Sequence, residues 1–121
     1  MKICIFGASS ASIDEVYIKE VEALAEKMAR RGPSLVFGAG ATGVMGAAPR
    51  GTKRGGGYIH GVIPEFFREE RVEKIFTDCD KLTYTKSMAE RKTLMEDDAD
   101  AFIIAPGGIG TMDEFFQILT L

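Results

Sequence analysis

Five short apolar runs recur along this chain, and between them apolar residues fall at helical spacing, so the pattern predicts strands alternating with helices. Lys2 to Phe6 reads as a buried strand, followed by a helix from about Ser12 to Arg31. Val16, Val21, Leu24, Ala25 and Met28 form its apolar stripe, Asp14, Glu15 and Glu22 lie toward the positive end of its dipole, and Gly32-Pro33 stops it. Ser34 to Phe37 is the second strand, leading to a helix from about Gly43 to Arg54 that Gly55-Gly56-Gly57 ends. Tyr58 to Ile63 is the third strand, closed by Pro64, and Phe66 to Val72 reads as a loop with helical character. Lys81 to Tyr84 leads into a helix from about Thr85 to Glu96, Ala101 to Ala105 supplies the fifth strand, and the last helix starts after Gly110.

Such alternation predicts an α/β fold: a Rossmann-like, doubly wound parallel sheet in three α/β/α layers, joined by right-handed crossovers. With 121 residues and no linker, low-complexity tract or internal repeat, residues 1–121 read as one nucleotide-binding domain. The last helix is still apolar at Phe115, Phe116, Ile118, Leu119 and Leu121 where the sequence stops, so the domain reads as truncated at its C-terminus. An uncovered helix face or unpaired strand edge there would invite association.

Three of the strands end in small-residue turns: Gly7-Ala8-Ser9-Ser10, then Gly38-Ala39-Gly40-Ala41-Thr42-Gly43-Val44-Met45-Gly46, then Pro106 to Gly110. Any one of these could serve tight packing alone. Together they predict three backbone nests along one edge of the sheet, where α/β proteins bind nucleotides. The third is the most telling. Gly107, Gly108 and Gly110 let the backbone approach an anion, Ile109 adds its amide, the amides of the following helix point the same way, and the Thr111 hydroxyl adds a donor. Glu114 follows about one helical turn below Thr111, which puts a carboxylate beside the phosphate cradle. On the preceding helix, Arg91 suits a forked grip on phosphate or ribose oxygens and Lys92 acts as a point charge, while Met95 reads as core.

Composition narrows the ligand. A formal charge of -3 provides no basic surface for a nucleic-acid polymer, so any bound anion is small and held locally. No apolar run approaches a membrane span and the start is too short for a signal peptide, which points to a cytoplasmic protein. Cys4 and Cys79 lack metal spacing and read as packing residues, and His60 is the lone histidine, in a strand, so no metal is expected. The first turn lacks the second and third glycines of the dinucleotide fingerprint, which argues against whole NAD.

With these blocks assembled, the chain resembles the LOG (Lonely Guy) family of nucleoside 5′-monophosphate phosphoribohydrolases, often mislabelled lysine decarboxylases. The resemblance rests on Gly7-Ala8-Ser9-Ser10, the block ending Gly43-Val44-Met45-Gly46, Gly61-Val62-Ile63-Pro64, Met88 with Glu90-Arg91-Lys92, and Pro106 to Glu114, which matches the family's PGGxGTxxE. Ala39 departs from it, standing where the family has glycine. The resemblance implies hydrolysis of the N-glycosidic bond of AMP or an N6-substituted AMP, with Arg91 and Glu114 catalytic. Met88, Arg91, Lys92, Gly107, Gly108, Ile109, Gly110, Thr111 and, more weakly, Thr120 would contact substrate. It also implies a homodimer with the site at its interface and no cofactor, and no lysine stands in a recognisable pyridoxal-phosphate setting. The competing reading is a non-catalytic nucleotide or molybdenum-cofactor carrier of the same fold.

Overall fold

The computed structural model describes residues 1–10, 12–70 and 74–120, with side chains throughout except at 68–70, 109 and 110. In chain order the elements are β1 (Lys2–Phe6), α1 (Glu15–Arg30), β2 (Ser34–Phe37), α2 (Gly43–Arg54), β3 (Ile59–Pro64), α3 (Glu65–Glu70), β4 (Lys81–Thr85), α4 (Met88–Asp98), β5 (Ala101–Ile104) and α5 (Ile109–Leu119). The sheet order is β4-β3-β2-β1-β5 and every pairing is parallel. The expected α/β sheet with helices on both faces is therefore present. Its topological switch lies between β1 and β5, where connections leave in opposite directions and a crevice opens at the strand C-termini.

Strand alternation divides the core. Ile5, Leu35, Phe37, Ile59 and Ile63 face one way and pack with Val21 of α1 and Val44, Ala47 and Ala48 of α2. Cys4, Phe6, Val36 and Val62 face the other, under Met95 and Leu94 of α4 and Ile118 of α5. Each fully buried large aliphatic side chain contributes roughly 1.5–3 kcal/mol. Cys4 and Met95 are thus core residues, as their spacing predicts, and burial pushes the Cys4 thiol up from its ordinary pKa. His60 is also structural. Its ring nitrogens lie 3.0 Å from Asp98 Oδ2 and 2.8 Å from Thr83 Oγ1, tying β3 to β4 and to the end of α4, while Lys2 of β1 pairs with the same Asp98 at 2.8 Å.

Several boundaries differ from the sequence expectation. α1 starts at Glu15 because the Asp14 side chain accepts from the Val16 amide at 3.0 Å and so caps the helix. α4 starts at Met88, not Thr85, because Ser87 accepts from the Glu90 amide at 3.1 Å while Glu90 reaches back to the Lys86 amide at 2.9 Å, close to a capping box. The stretch expected as a loop with helical character begins as the short helix α3, and Val72, its expected end, lies outside the described residues, as does Leu121.

The expected stripe of α1 is also only half right. Val21 and Ala25 are buried, but Val16 and Leu24 are 51% and 41% exposed. The buried face is set instead by a seam of small residues. A Cβ at Gly51 of α2 would overlap the Glu22 carbonyl oxygen and lie 2.9 Å from the Cβ of Ala25, and one at Gly55 would lie 2.6 Å from the Glu26 carbonyl oxygen and 2.7 Å from the Cβ of Ala29, so the two helices approach too closely for larger side chains. Overpacking such a contact costs about 1–3 kcal/mol. Gly51→Ala is accordingly expected to lower the unfolding free energy by about that amount; an unchanged urea midpoint would show that the helices can separate freely.

Candidate active site

The turn after β1 is braced from both sides. The Ala8 amide donates to the Pro106 carbonyl at 3.1 Å, joining it to the turn after β5, while the Met45 amide donates to the Ala8 carbonyl at 3.0 Å and the Thr42 hydroxyl to the Ser9 carbonyl. Gly43 has φ +63, and a Cβ there would press on the carbonyls of Ala8 and Ser10. These bonds correct one expectation. In the second glycine-rich turn four amides expected to face an anion are already used: Gly40 on Met45 Sδ, Ala41 on the Lys74 carbonyl, Met45 on Ala8 and Gly46 on Thr42. What it gives the crevice is the Met45 side chain.

Within this second turn Ala39 takes φ +65 and is fully buried. The left-handed region costs a non-glycine residue roughly 1–2 kcal/mol. A buried methyl returns about 0.8 kcal/mol, and alanine loses less chain entropy on folding than glycine, so the substitution for the family's glycine is tolerated.

A cavity of about 570 Å³ lies at the switch point, within the range of small-molecule sites. It is lined by Ser9 and Ser10 of the first turn, Met45 of α2, Phe67 of α3, Met88, Arg91 and Lys92 of α4, and Gly108, Thr111, Asp113 and Glu114 of the fifth turn and α5. Six residues singled out from sequence, Met88, Arg91, Lys92, Gly108, Thr111 and Glu114, therefore share one cavity. Gly107 sits behind it, where a Cβ would strike the buried Thr111 side chain and come within 3.1 Å of the Ala8 amide. Ile109 and Gly110 are described only as backbone at the head of α5, where the first helical amides have no intrahelical acceptor. Thr120 is not brought in. It caps the other end of α5, its hydroxyl donating to the Gln117 carbonyl at 3.0 Å, and eleven helical residues span about 16 Å.

Arg91 is buried, with 6% of its surface exposed. Its Nε donates to the Val62 carbonyl at 3.0 Å and its Nη2 to the Gly38 carbonyl, so the guanidinium rests on the C-terminal ends of β3 and β2. The ring of Phe67 lies 5.6 Å from its central carbon, within cation–π range, and Nη1 is 3.7 Å from Met88 Sδ. A Cβ at Gly38 would overlap Nη2, which explains that glycine. Lys92 turns the other way and pairs with Asp113 at 2.7 Å. Glu114 is half-buried, and burial pushes its carboxyl up to about 7 although Arg91 and Lys92 pull it down. Desolvation outweighs attraction here.

Sequence reading missed Met45, Phe67 and Asp113, and did not assign Ser9 or Ser10 a contact. Phe67 lay in a stretch expected to be a loop with helical character, where no apolar stripe marked its inward face. Asp113 had a legible signal: it precedes Glu114 as Lys92 follows Arg91, with opposite charge.

A family model described as possible lysine decarboxylase matches residues 45–121. A Mycobacterium tuberculosis protein named cytokinin riboside 5′-monophosphate phosphoribohydrolase is 38% identical over 118 residues, and one of the same name from Mycobacterium marinum is 41% identical over 118; each alignment covers 98% of this chain and 62% of the relative. The Arabidopsis thaliana protein so named with the suffix LOG2 is 34% identical over 121 residues, 55% of its length. The chain thus belongs to this family, the LOG family that its motifs resemble, and spans between half and two thirds of these curated relatives. Among solved structures, a molybdenum cofactor carrier protein from Chlamydomonas reinhardtii superposes with a TM-score of 0.83 at 24% identity, covering 98% of this chain and 70% of that one, which establishes a shared fold.

The lysine decarboxylase label would imply pyridoxal phosphate, and the residues do not fit it. The cavity's lysine, Lys92, is held by a carboxylate, opposite to the desolvated setting of a Schiff-base lysine.

The Glu114 shift has a consequence for stability. Its folded pKa of about 7 lies above the ordinary 4.5, so folding favours the protonated carboxyl. That contribution is present below about pH 4.5 and is lost as pH rises through about 7. Glu114→Gln is expected to gain stability relative to the unsubstituted protein between pH 5 and pH 8, read from urea midpoints; a constant difference across that range would show that burial does not penalise the carboxylate.

Proposed function

We propose that this chain binds a nucleoside 5′-monophosphate, AMP or an N6-substituted AMP such as a cytokinin riboside monophosphate, and hydrolyses its N-glycosidic bond. The convergence of Arg91, Thr111 and Glu114 on one cavity carries this reading. The head of α5 supplies free-facing amides of the type that bind phosphate, which would anchor the 5′ end and fix its distance to the sugar. As the bond from C1′ to the base breaks, the electron pair leaves with the base and positive charge develops on the ribose. The Glu114 carboxylate stabilises that charge and takes a proton from the attacking water, whose oxygen bonds to C1′ to give ribose 5-phosphate; the proton passes on to the departing base, which leaves neutral and restores the carboxylate. Arg91 grips substrate oxygens from a seat that its backbone acceptors hold rigid. The names of the curated relatives support the same chemistry. A carrier protein, the competing reading, has no use for a carboxylate pushed up to about 7 beside an arginine.

The active unit on this reading is a single cytoplasmic nucleotide-binding domain that pairs into a homodimer. Met112, Phe116 and Leu119 are exposed at one-turn intervals on α5, an apolar stripe beside the cavity suited to a second copy. No described helix is long and apolar enough to cross a membrane.

Incubation with AMP and isopentenyladenosine monophosphate tests the proposal, using this chain and one extended to the relatives' length. Free base is expected, with Glu114→Ala and Arg91→Ala each lowering kcat/KM by about a hundredfold or more. Because the carboxylate is the working form, kcat/KM should climb with pH and level off above about 7. Tight calorimetric binding of AMP without turnover, indifferent to Glu114→Ala, would favour the carrier.

A further inference from the structure

α5 carries Glu114, yet it is thinly attached to the rest of the protein. Much of its apolar surface is exposed, with Ile118 among the residues it sets against the core. Among the described residues, the ion pair that joins α5 to α4 runs from Lys92 Nζ to Asp113 Oδ2 at 2.7 Å. Both partners line the cavity, and each is the immediate neighbour of a residue in the proposed reaction: Lys92 follows Arg91 and Asp113 precedes Glu114. Arg91 is already fixed by the carbonyls of β2 and β3, so a tie between its neighbour and Glu114's neighbour transmits that fixed position to α5.

We propose that Asp113 is a positioning residue: through its ion pair with Lys92 it holds Glu114 across the cavity from Arg91 and balances the charge that Lys92 presents to Glu114. This rests on the phosphoribohydrolase reading and adds a role for a residue which that reading does not use. The charged groups facing Glu114 are Arg91, Lys92 and Glu96 from α4 and Asp113 from its own helix, with the buried, neutral Cys4 thiol on β1. Arg91 and Lys92 favour the Glu114 carboxylate, whereas Asp113 and Glu96 oppose it. Deleting Asp113's charge removes a repulsion and also releases Lys92 to act on Glu114, so both effects favour ionisation. Deleting Lys92's charge does the reverse.

Three variants separate tie from charge: Asp113→Asn, Lys92→Met and the double variant. The acidic limb of kcat/KM should move down by roughly half a pH unit in Asp113→Asn, up by a similar amount in Lys92→Met, and return near its original position in the double variant, where net charge is restored. All three lose the tie, so kcat should fall roughly three- to tenfold in each, while Asp113→Glu, which can still reach Lys92, retains most activity. A carbon-13 titration of the Glu114 carboxyl without substrate should show the same ordering of midpoints. If the unsubstituted protein releases no base, the hydrolase reading falls while this titration still decides the pair. Midpoints that stay put or move in one direction in both single variants overturn the proposal, as does a double variant with full kcat.

Discussion

A buried guanidinium sets the terms for this cavity. Removing a charged side chain from water costs several kcal/mol unless its donors find acceptors. Arg91 meets that requirement with the backbone, taking the Val62 and Gly38 carbonyls at the ends of two parallel strands. Gly38 follows the last residue of β2, and Val62 lies one residue past the last β2–β3 pair, Phe37 with Gly61, so the guanidinium sits where those two strands stop pairing. The arrangement demands an absent side chain at Gly38, explains the aromatic face of Phe67, and fixes one wall of the cavity without help from α5. Other side chains at the cavity are then positioned relative to a charge that has little freedom to move.

The path of α4 explains why two adjacent residues serve different neighbours. The chain must cross from β4 at one edge of the sheet to β5 at the other, and α4 makes that crossing on the face opposite α1 and α2, touching β4, β3, β2 and β1. Its first half therefore overlies the C-terminal ends of β3 and β2, where Arg91 finds its carbonyls. Consecutive residues on a helix diverge by about 100°. Lys92 is thereby turned toward α5, which lies on the same face because Ile118 packs into the cluster built around Met95.

Element order, sheet class and most of the cavity were legible in the sequence because each rests on local chemistry: strand runs, glycine turns, and an arginine, lysine and glutamate at characteristic offsets. The misreadings come from tertiary contact. Val16 and Leu24 fit a helical stripe, but a seam of Gly51, Gly55, Ala25 and Ala29 turns a different face of α1 inward, and periodicity cannot see how closely two helices approach. The glycine block after β2 resembles a ligand nest, yet the Met45 amide serves the neighbouring turn and the Ala41 amide the segment at Lys74, a use that becomes visible only once those segments are adjacent. Phe67 joined the cavity without any motif of its own, and Met45, though inside a glycine-rich block, carried no signal that its side chain faces the crevice.

Asp113 and Glu114 show how the same chemistry acquires two roles from position alone. Both are carboxylates on one helix turn lining one cavity, but Asp113 faces solvent and a lysine, whereas Glu114 is turned inward, where burial outweighs the pull of two cations and moves its carboxyl to about 7. A pair of acids held in unequal surroundings lets a single site keep one carboxyl that exchanges protons near neutrality beside one that is tied to a lysine. The rotation between adjacent helix positions is enough to create that inequality. The helix whose first turn faces the crevice therefore also presents one buried carboxyl and one tied to Lys92, and burial, against the pull of Arg91, makes them unequal.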